Sequence, residues 1–203
     1  MADDAAAVAV TVPEEDLLRA RLYWLLARLL LAPAPAPFLA RIAAIEEDDS
    51  EIGRALGALA GAAGAIAPAA AAEEYQELFI GIARGELVPY GSYYLTGFLN
   101  EKPLAKLRQD MARLGIARAE LVAEPEDHMG TLCEIMAGLI TGEFGAPAGL
   151  AAQRQFFHAH IATWAARFFG DLETAQAARL YAPVGRLGRI FMDIEAVGFD
   201  MGS

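Results

Sequence analysis

Glu124-Pro125-Glu126-Asp127-His128-Met129-Gly130-Thr131-Leu132-Cys133-Glu134-Ile135-Met136-Ala137-Gly138-Leu139-Ile140 is the stretch on which the fold turns. Proline has a fixed φ and no backbone donor, which suits the first turn of a helix, so the sequence predicts a helix opening at Pro125. Glu124, Glu126 and Asp127 crowd that turn, where the positive end of the helix dipole favours carboxylates. Met129, Leu132, Cys133, Met136, Leu139 and Ile140 recur at three- and four-residue steps and mark a buried face. His128 sits at the seam between the acidic mouth and this apolar stripe. It reads either as a satisfied core histidine on a well-capped helix or as part of a recognition site.

The rest of the chain supports a helical setting for this segment. Of its 203 residues, 56% are apolar, and alanine, the best helix former, dominates. No sustained two-residue alternation of β-branched residues suggests a sheet. The length admits a substantial core. The net charge of −11 argues against nucleic acid and against anionic membrane surfaces. It would suit a basic peptide, although solubility alone also explains it. The single Cys133 excludes an internal disulfide and a multi-thiolate metal site. The uncharged run 55–72 is mostly Ala and Gly, broken by Pro68, and is not expected to span a membrane. The first residues, Met-Ala-Asp-Asp, carry no export signal, so a cytoplasmic protein is expected.

Upstream, residues 1–10 read as a mobile tail. Thr11-Val12-Pro13-Glu14 has capping-box spacing and opens a helix to about Leu31. Its leucines cover more than one face, which predicts a nearly surrounded helix. Pro33, Pro35 and Pro37 end it. Short helices follow at 38–46, at 51–66 with close approach over Gly57, Gly61 and Gly64, and from Pro68 to about Phe79. Residues 81–99 then break any helix with Gly81, Gly85, Pro89, Gly91 and Gly97 while carrying Leu87, Tyr90, Tyr93, Tyr94 and Phe98. Such an aromatic loop is either packed over the core or presented to a partner. Asn100 is expected to cap a helix from about Pro103 to Leu114. Downstream, Leu150 to Phe169 reads as one long aromatic-faced helix, followed by helices at 172–181 and 184–197. Residues 11–203 are thus expected to form a single all-α domain, a helical bundle of about nine helices.

Catalytic and metal constellations are missing from this pattern. None of the three histidines has Glu three residues before it, as a diiron bundle requires. There is no HExxH, Walker loop or GxGxxG. Ser92 in Tyr-Gly-Ser-Tyr-Tyr lacks the nucleophile-elbow pattern. A hydrolase built on Ser92, Asp127 and His128 remains the enzymatic alternative, but adjacent Asp and His cannot orient each other as a triad does. The protein is not expected to be an enzyme.

Four words then combine at characteristic distances: Glu74-Tyr75-Gln76-Glu77-Leu78-Phe79, Val88-Pro89-Tyr90-Gly91-Ser92-Tyr93-Tyr94, Leu104-x-x-Leu107-Arg108, and Glu124-Pro125-Glu126-Asp127-His128-Met129. Together they resemble the TorD/DmsD family of redox-enzyme maturation chaperones. Weaker likeness continues through Phe156, Phe157, His160, Trp164, Phe168, Phe169 and Gly188-Arg189-Ile190-Phe191. The resemblance implies an all-helical TorD-like domain without metal or bound redox cofactor. It implies binding to the twin-arginine leader or apoprotein of a molybdenum-containing oxidoreductase, aiding cofactor insertion and delaying export. The implied peptide-binding residues are Tyr75, Leu78, Phe79, Pro89, Tyr90, Glu124, Asp127 and His128. Tyr90 stands where some members have tryptophan, and Met129 where leucine is more usual. The physics is compatible: a twin-arginine leader has a basic head and an apolar segment, which call for carboxylates beside an aromatic groove. A chaperone that grips the mature client and ignores the leader is the alternative. The Pro/Gly-rich connections admit a monomer or a helix-swapped dimer.

Overall fold

Met129, not Pro125, begins the central helix. The computed structural model describes residues 11–82, 84–117 and 124–202; the expected tail 1–10 and most of the link before Glu124 lie outside them. Ten α-helices occur among these residues: α1 Glu14–Leu31, α2 Ala36–Ala43, α3 Glu51–Ala65, α4 Pro68–Tyr75, α5 Gly91–Thr96, α6 Lys102–Arg113, α7 Met129–Thr141, α8 Leu150–His160, α9 Ala165–Thr174 and α10 Tyr181–Met201. A π turn, Gln76–Ile80, continues α4. No strand occurs among the described residues, so the all-α expectation holds.

Residues 125–128 turn instead of coiling because His128 takes the N-cap itself. Its backbone is extended (φ −66°, ψ 135°), and its ring accepts the Gly130 N–H. A residue that meets an orphan amide of the first turn in this way fixes where the helix starts. From there ten of the thirteen residues of α7 are buried, so nearly every side is covered rather than one stripe. Gly142, at φ 82°, closes the helix in a left-handed cap.

The surrounded position expected for α1 therefore belongs to α7. α1 packs along α7 through Tyr23, Leu26, Leu29 and Leu30, all fully buried. Its other side stays open: Leu17 and Leu18 are exposed, and Trp24 and Leu25 are half-covered. Pro13 takes the N-cap of α1 with no side-chain cap, so the capping box at Thr11 is not formed. Ser50, by contrast, caps α3 by accepting the Gly53 N–H. Of the glycines on α3, a Cβ at Gly57 would strike Glu47, whereas Gly61 faces open space.

Three C-terminal expectations change. The aromatic segment bends at Ile161–Trp164 and becomes two helices, α8 and α9. The helix expected at 172–181 is divided between the end of α9 and a turn, and α10 starts at Tyr181 with Pro183 in its first turn. The cause is Glu74. Its buried carboxylate accepts the Arg179, Leu180 and Tyr181 N–H groups at 2.7, 3.1 and 2.8 Å, supplying a distant cap for α10. Glu101 rather than Asn100 precedes α6; Asn100 is left-handed (φ 60°).

Buried apolar residues from every one of these α-helices except α5 form one contiguous cluster, against which Tyr94 of α5 packs. A polar link crosses it: Glu195, 4% exposed, accepts from Arg19 (2.7 and 2.8 Å) and from the Tyr23 hydroxyl (2.9 Å). No single helix among the described residues is long and apolar enough to cross a membrane; α3 and the α4–π segment pass that test only together, and they are bent by 114°.

Candidate functional site

The tyrosine-bearing crossover and the mouth of α7 meet through the backbone. Met129 N–H donates to the Pro89 carbonyl (2.8 Å) and Gly91 N–H to the Asp127 carbonyl (2.9 Å), pairing Tyr90 with His128 in a single antiparallel bridge. This contact needs Pro89 and Asp127–His128 extended, which is why α7 cannot start earlier. The crossover is not wholly a loop: after Tyr90 the chain coils into α5. Asp127 fixes that turn, since its Oδ2 accepts the Ser92 N–H at 2.6 Å. A Cβ at Gly91 would lie 3.1 Å from the Trp164 indole nitrogen, a close approach that glycine leaves room for. That nitrogen donates to the His160 carbonyl at 2.8 Å.

The acidic mouth is therefore split three ways. Glu124 is exposed and accepts a hydrogen bond from the Tyr90 hydroxyl. Glu126 is buried and held by Arg108, whose Nε and Nη2 donate at 3.0 and 2.9 Å. Asp127 is 3% exposed. The expectation of three carboxylates open on one helical turn is corrected: one faces solvent, one is neutralised by the chain's own arginine, and one is a buried scaffold. Asp127 still has unused capacity. Its Oδ1 and the neighbouring Ser92 Oγ are buried without a hydrogen-bond partner among the described residues. Asp127 also lines a cavity of about 430 Å³ with Leu95, Lys102, Lys106, Leu107 and Trp164. A buried carboxylate oxygen left unpaired is costly, so this oxygen has the capacity to accept one more donor.

His128 is 5% exposed, and burial lowers its pKa to about 4. It is neutral at physiological pH. Because Nδ1 accepts the Gly130 N–H at 3.0 Å, the ring hydrogen sits on Nε2. Its ring meets Tyr90 edge-on at 5.1 Å. Burial, and then Glu124, raise the Tyr90 and Tyr75 hydroxyl pKa values. Glu124 thus acts on both tyrosines, and Tyr75, Tyr90, Glu124 and His128 converge. Ser92 makes no hydrogen bond through Oγ and His128 Nδ1 is occupied, so the three side chains of the alternative hydrolase do not form a relay.

The remaining predicted residues lie at the end of α4 and on the π turn. Leu78 is fully buried, and Tyr75 is 6% exposed with its hydroxyl donating to the Leu30 carbonyl at 3.2 Å. Phe79 is half-buried between the rings of Tyr75 (5.1 Å) and Tyr181 (5.3 Å). The π turn that carries Leu78 and Phe79 widens the helix by one residue; such turns cluster at functional sites. Glu86 and Leu87 return to it by donating to the Glu77 and Leu78 carbonyls. Ile80 at the end of the turn and Ile82 beyond it are exposed, the latter wholly so. The crossover's outer tyrosines already carry arginines: Arg84 lies over Tyr93 at 5.6 Å and Arg167 over Tyr94 at 5.5 Å. Three site features were not foreseen: the Arg108–Glu126 pair, the unpaired Ser92 hydroxyl, and the lysines beside Asp127. Only the first had a signal, an arginine next to the predicted core face of α6.

The chain is thus an all-helical protein that ties an aromatic crossover to the capped mouth of its central helix. Comparison with known proteins makes this specific. The nitrate reductase delta subunit family model matches residues 45–170, more than half of the chain. The protein belongs to this family, that of the TorD-type chaperones. It is 30% identical over 128 residues to the chaperone protein TorD of Vibrio cholerae, covering 60% of this chain and 58% of that one. The corresponding figures for TorD of Aliivibrio salmonicida are 27% over 130 residues, with 60% of each chain. The chain thus spans less than two thirds of the length of these curated relatives. A solved structure from Archaeoglobus fulgidus, described as a redox enzyme maturation protein, has the same fold, with a TM-score of 0.57 and 19% identity over 93% of this chain and 99% of that one.

Proposed function

We propose that the protein is a cytoplasmic maturation chaperone for a molybdenum-containing redox enzyme, and that it binds the twin-arginine leader or the apoprotein of that client. The observation that carries this reading is the unpaired Asp127 Oδ1, buried at the wall of a cavity beside the exposed Glu124. A guanidinium group has several donors in a fixed fork and suits a carboxylate with a free oxygen. Tyr90 supplies an aromatic face at the same place, and Tyr75, Leu78, Phe79, Pro89 and His128 form the wall that holds it. The leader's apolar segment would then lie against the exposed Ile80 and Ile82.

Isothermal titration with an Arg-Arg leader peptide tests the proposal, with the Lys-Lys version as control. Micromolar binding of the first and loss with the second is expected. No binding to leaders from several molybdoenzymes would refute it. A second reading, that mature client is gripped without the leader, is favoured by Phe98, 70% exposed beside the site. Retention of leaderless enzyme in a pull-down, with no leader binding in solution, would select that reading.

A further inference from the structure

The cavity beside Asp127 carries charges of both signs. Asp127, 3% exposed and with one carboxylate oxygen unpaired among the described residues, lies in its wall. Positive charge comes from α6, where Lys102 and Lys106 stand one turn apart and line the same cavity. Neither lysine makes an ion pair among the described residues. Asp110, one turn beyond Lys106, is already engaged by His160 Nε2 at 2.9 Å and by Arg113 at 2.6 Å. Burial lowers the His160 pKa, Asp110 raises it and Lys106 lowers it again, so the Lys106 ammonium is within electrostatic reach of that buried ring. α6 begins at this wall. Its first turn holds no acid, and Glu101 before it forms no side-chain cap. The positive end of the helix dipole therefore adds to the two ammonium groups.

A guest that is only basic meets a conflict here. Its guanidinium gains one carboxylate but approaches two ammonium groups and a helix N-terminus, and like charges repel more strongly out of water than in it. A guest that is only acidic meets Asp127. A guest with a cation and an anion side by side satisfies both: Asp127 receives the donor, and the lysines receive the carboxylate. Such discrimination works through the penalty on the wrong guest as much as through the bond to the right one. The turn between Leu95 and Lys102 also exposes Phe98 and Leu99, apolar surface that a peptide running on past the cavity can cover.

We propose that Lys102 and Lys106 select the guest: the client segment bound at this cavity carries an acidic side chain next to its arginine. This rests on the reading of the site as one for a client peptide, and narrows it from basic leaders in general to those with a carboxylate beside the Arg-Arg pair. The net charge of −11 works the other way, because the long-range field favours the more basic peptide. A preference for the acid-bearing peptide therefore reports the two lysines and not the overall charge.

Isothermal titration of the full chain with three peptides of equal length tests this. The first has Glu on each side of Arg-Arg. The second has Gln at both positions, and the third has the Gln flanks with the two Glu moved to its far end. The wild-type protein should bind the first roughly three- to tenfold more tightly than the other two, a span set by ammonium groups that stay partly open to water. Lys102→Gln with Lys106→Gln should bind all three to within about twofold, and Lys102→Glu with Lys106→Glu should reverse the order. Both lysines are exposed and lie outside the buried stripe of α6, so circular dichroism should show native helicity in each variant. Equal binding of the three peptides by wild type would overturn the proposal and leave the client reading standing, as would a preference that the double Gln variant keeps. Binding of none of them refutes the client reading and the inference together.

Discussion

Replacing Asp127 separates scaffold from recognition, because its two oxygens have different work. Oδ2 holds the Ser92 N–H at the start of α5, and Oδ1 has no partner. Asp127→Ala removes both and strands a buried N–H. Losing a hydrogen bond to a charged group costs about 1.5–3 kcal/mol, and a chain of this size loses roughly 2–4 °C in Tm per kcal/mol. Asp127→Asn is the informative partner: its side-chain oxygen can still accept the Ser92 N–H, while its amide nitrogen cannot accept from a guanidinium. Urea unfolding should therefore place Asn within about 1 kcal/mol of wild type and Ala well below it. Titration with an Arg-Arg leader should show both variants weakened by about 1–3 kcal/mol, roughly 5- to 150-fold. Wild-type affinity in Asp127→Asn would refute the argument and leave Asp127 as scaffold only.

Acid should destabilise the protein through His128. Its pKa of about 4 in the fold, against an ordinary 6.5, means the unfolded chain binds the proton more readily. The contribution, about 3 kcal/mol, is complete above pH 6.5 and disappears as the pH falls towards 4. Unfolding free energies measured across that window should slope steeply in wild type and less so in His128→Asn, which keeps a cap without the titration. Arg19→Ala should cost about 3–5 kcal/mol, since it leaves the Glu195 carboxylate buried without its cation; chemical denaturation checks it, and a loss below 1 kcal/mol would contradict it. Gly185→Ala should destabilise by about 1–3 kcal/mol or more, because the new Cβ would lie 2.3 Å from the Glu173 backbone nitrogen where α9 crosses α10; a thermal melt reads it directly.

Much was written in local sequence. Alanine content, apolar steps of three and four, and prolines after Leu31 sufficed for an all-α chain and for most helix positions, since these signals act within a few residues. Ser50 and Gly142 capped as their types predict. Pairing Tyr90 with His128 was foreshadowed only as two words at a familiar distance, and Glu124 kept the exposure expected of a surface acid.

Tertiary structure decided where α7 begins, which carboxylate faces outward and which helix is enclosed. His128 is extended because Pro89 and Gly91, some forty residues earlier in the chain, take its neighbours' hydrogen bonds. Glu126 is neutral to a guest because Arg108 reaches it from α6, and α10 starts at Tyr181 because Glu74 caps it from α4. In each case a polar group was satisfied by a partner far along the chain. Periodicity records which residues avoid water, but it does not record which distant donor a buried acceptor will find.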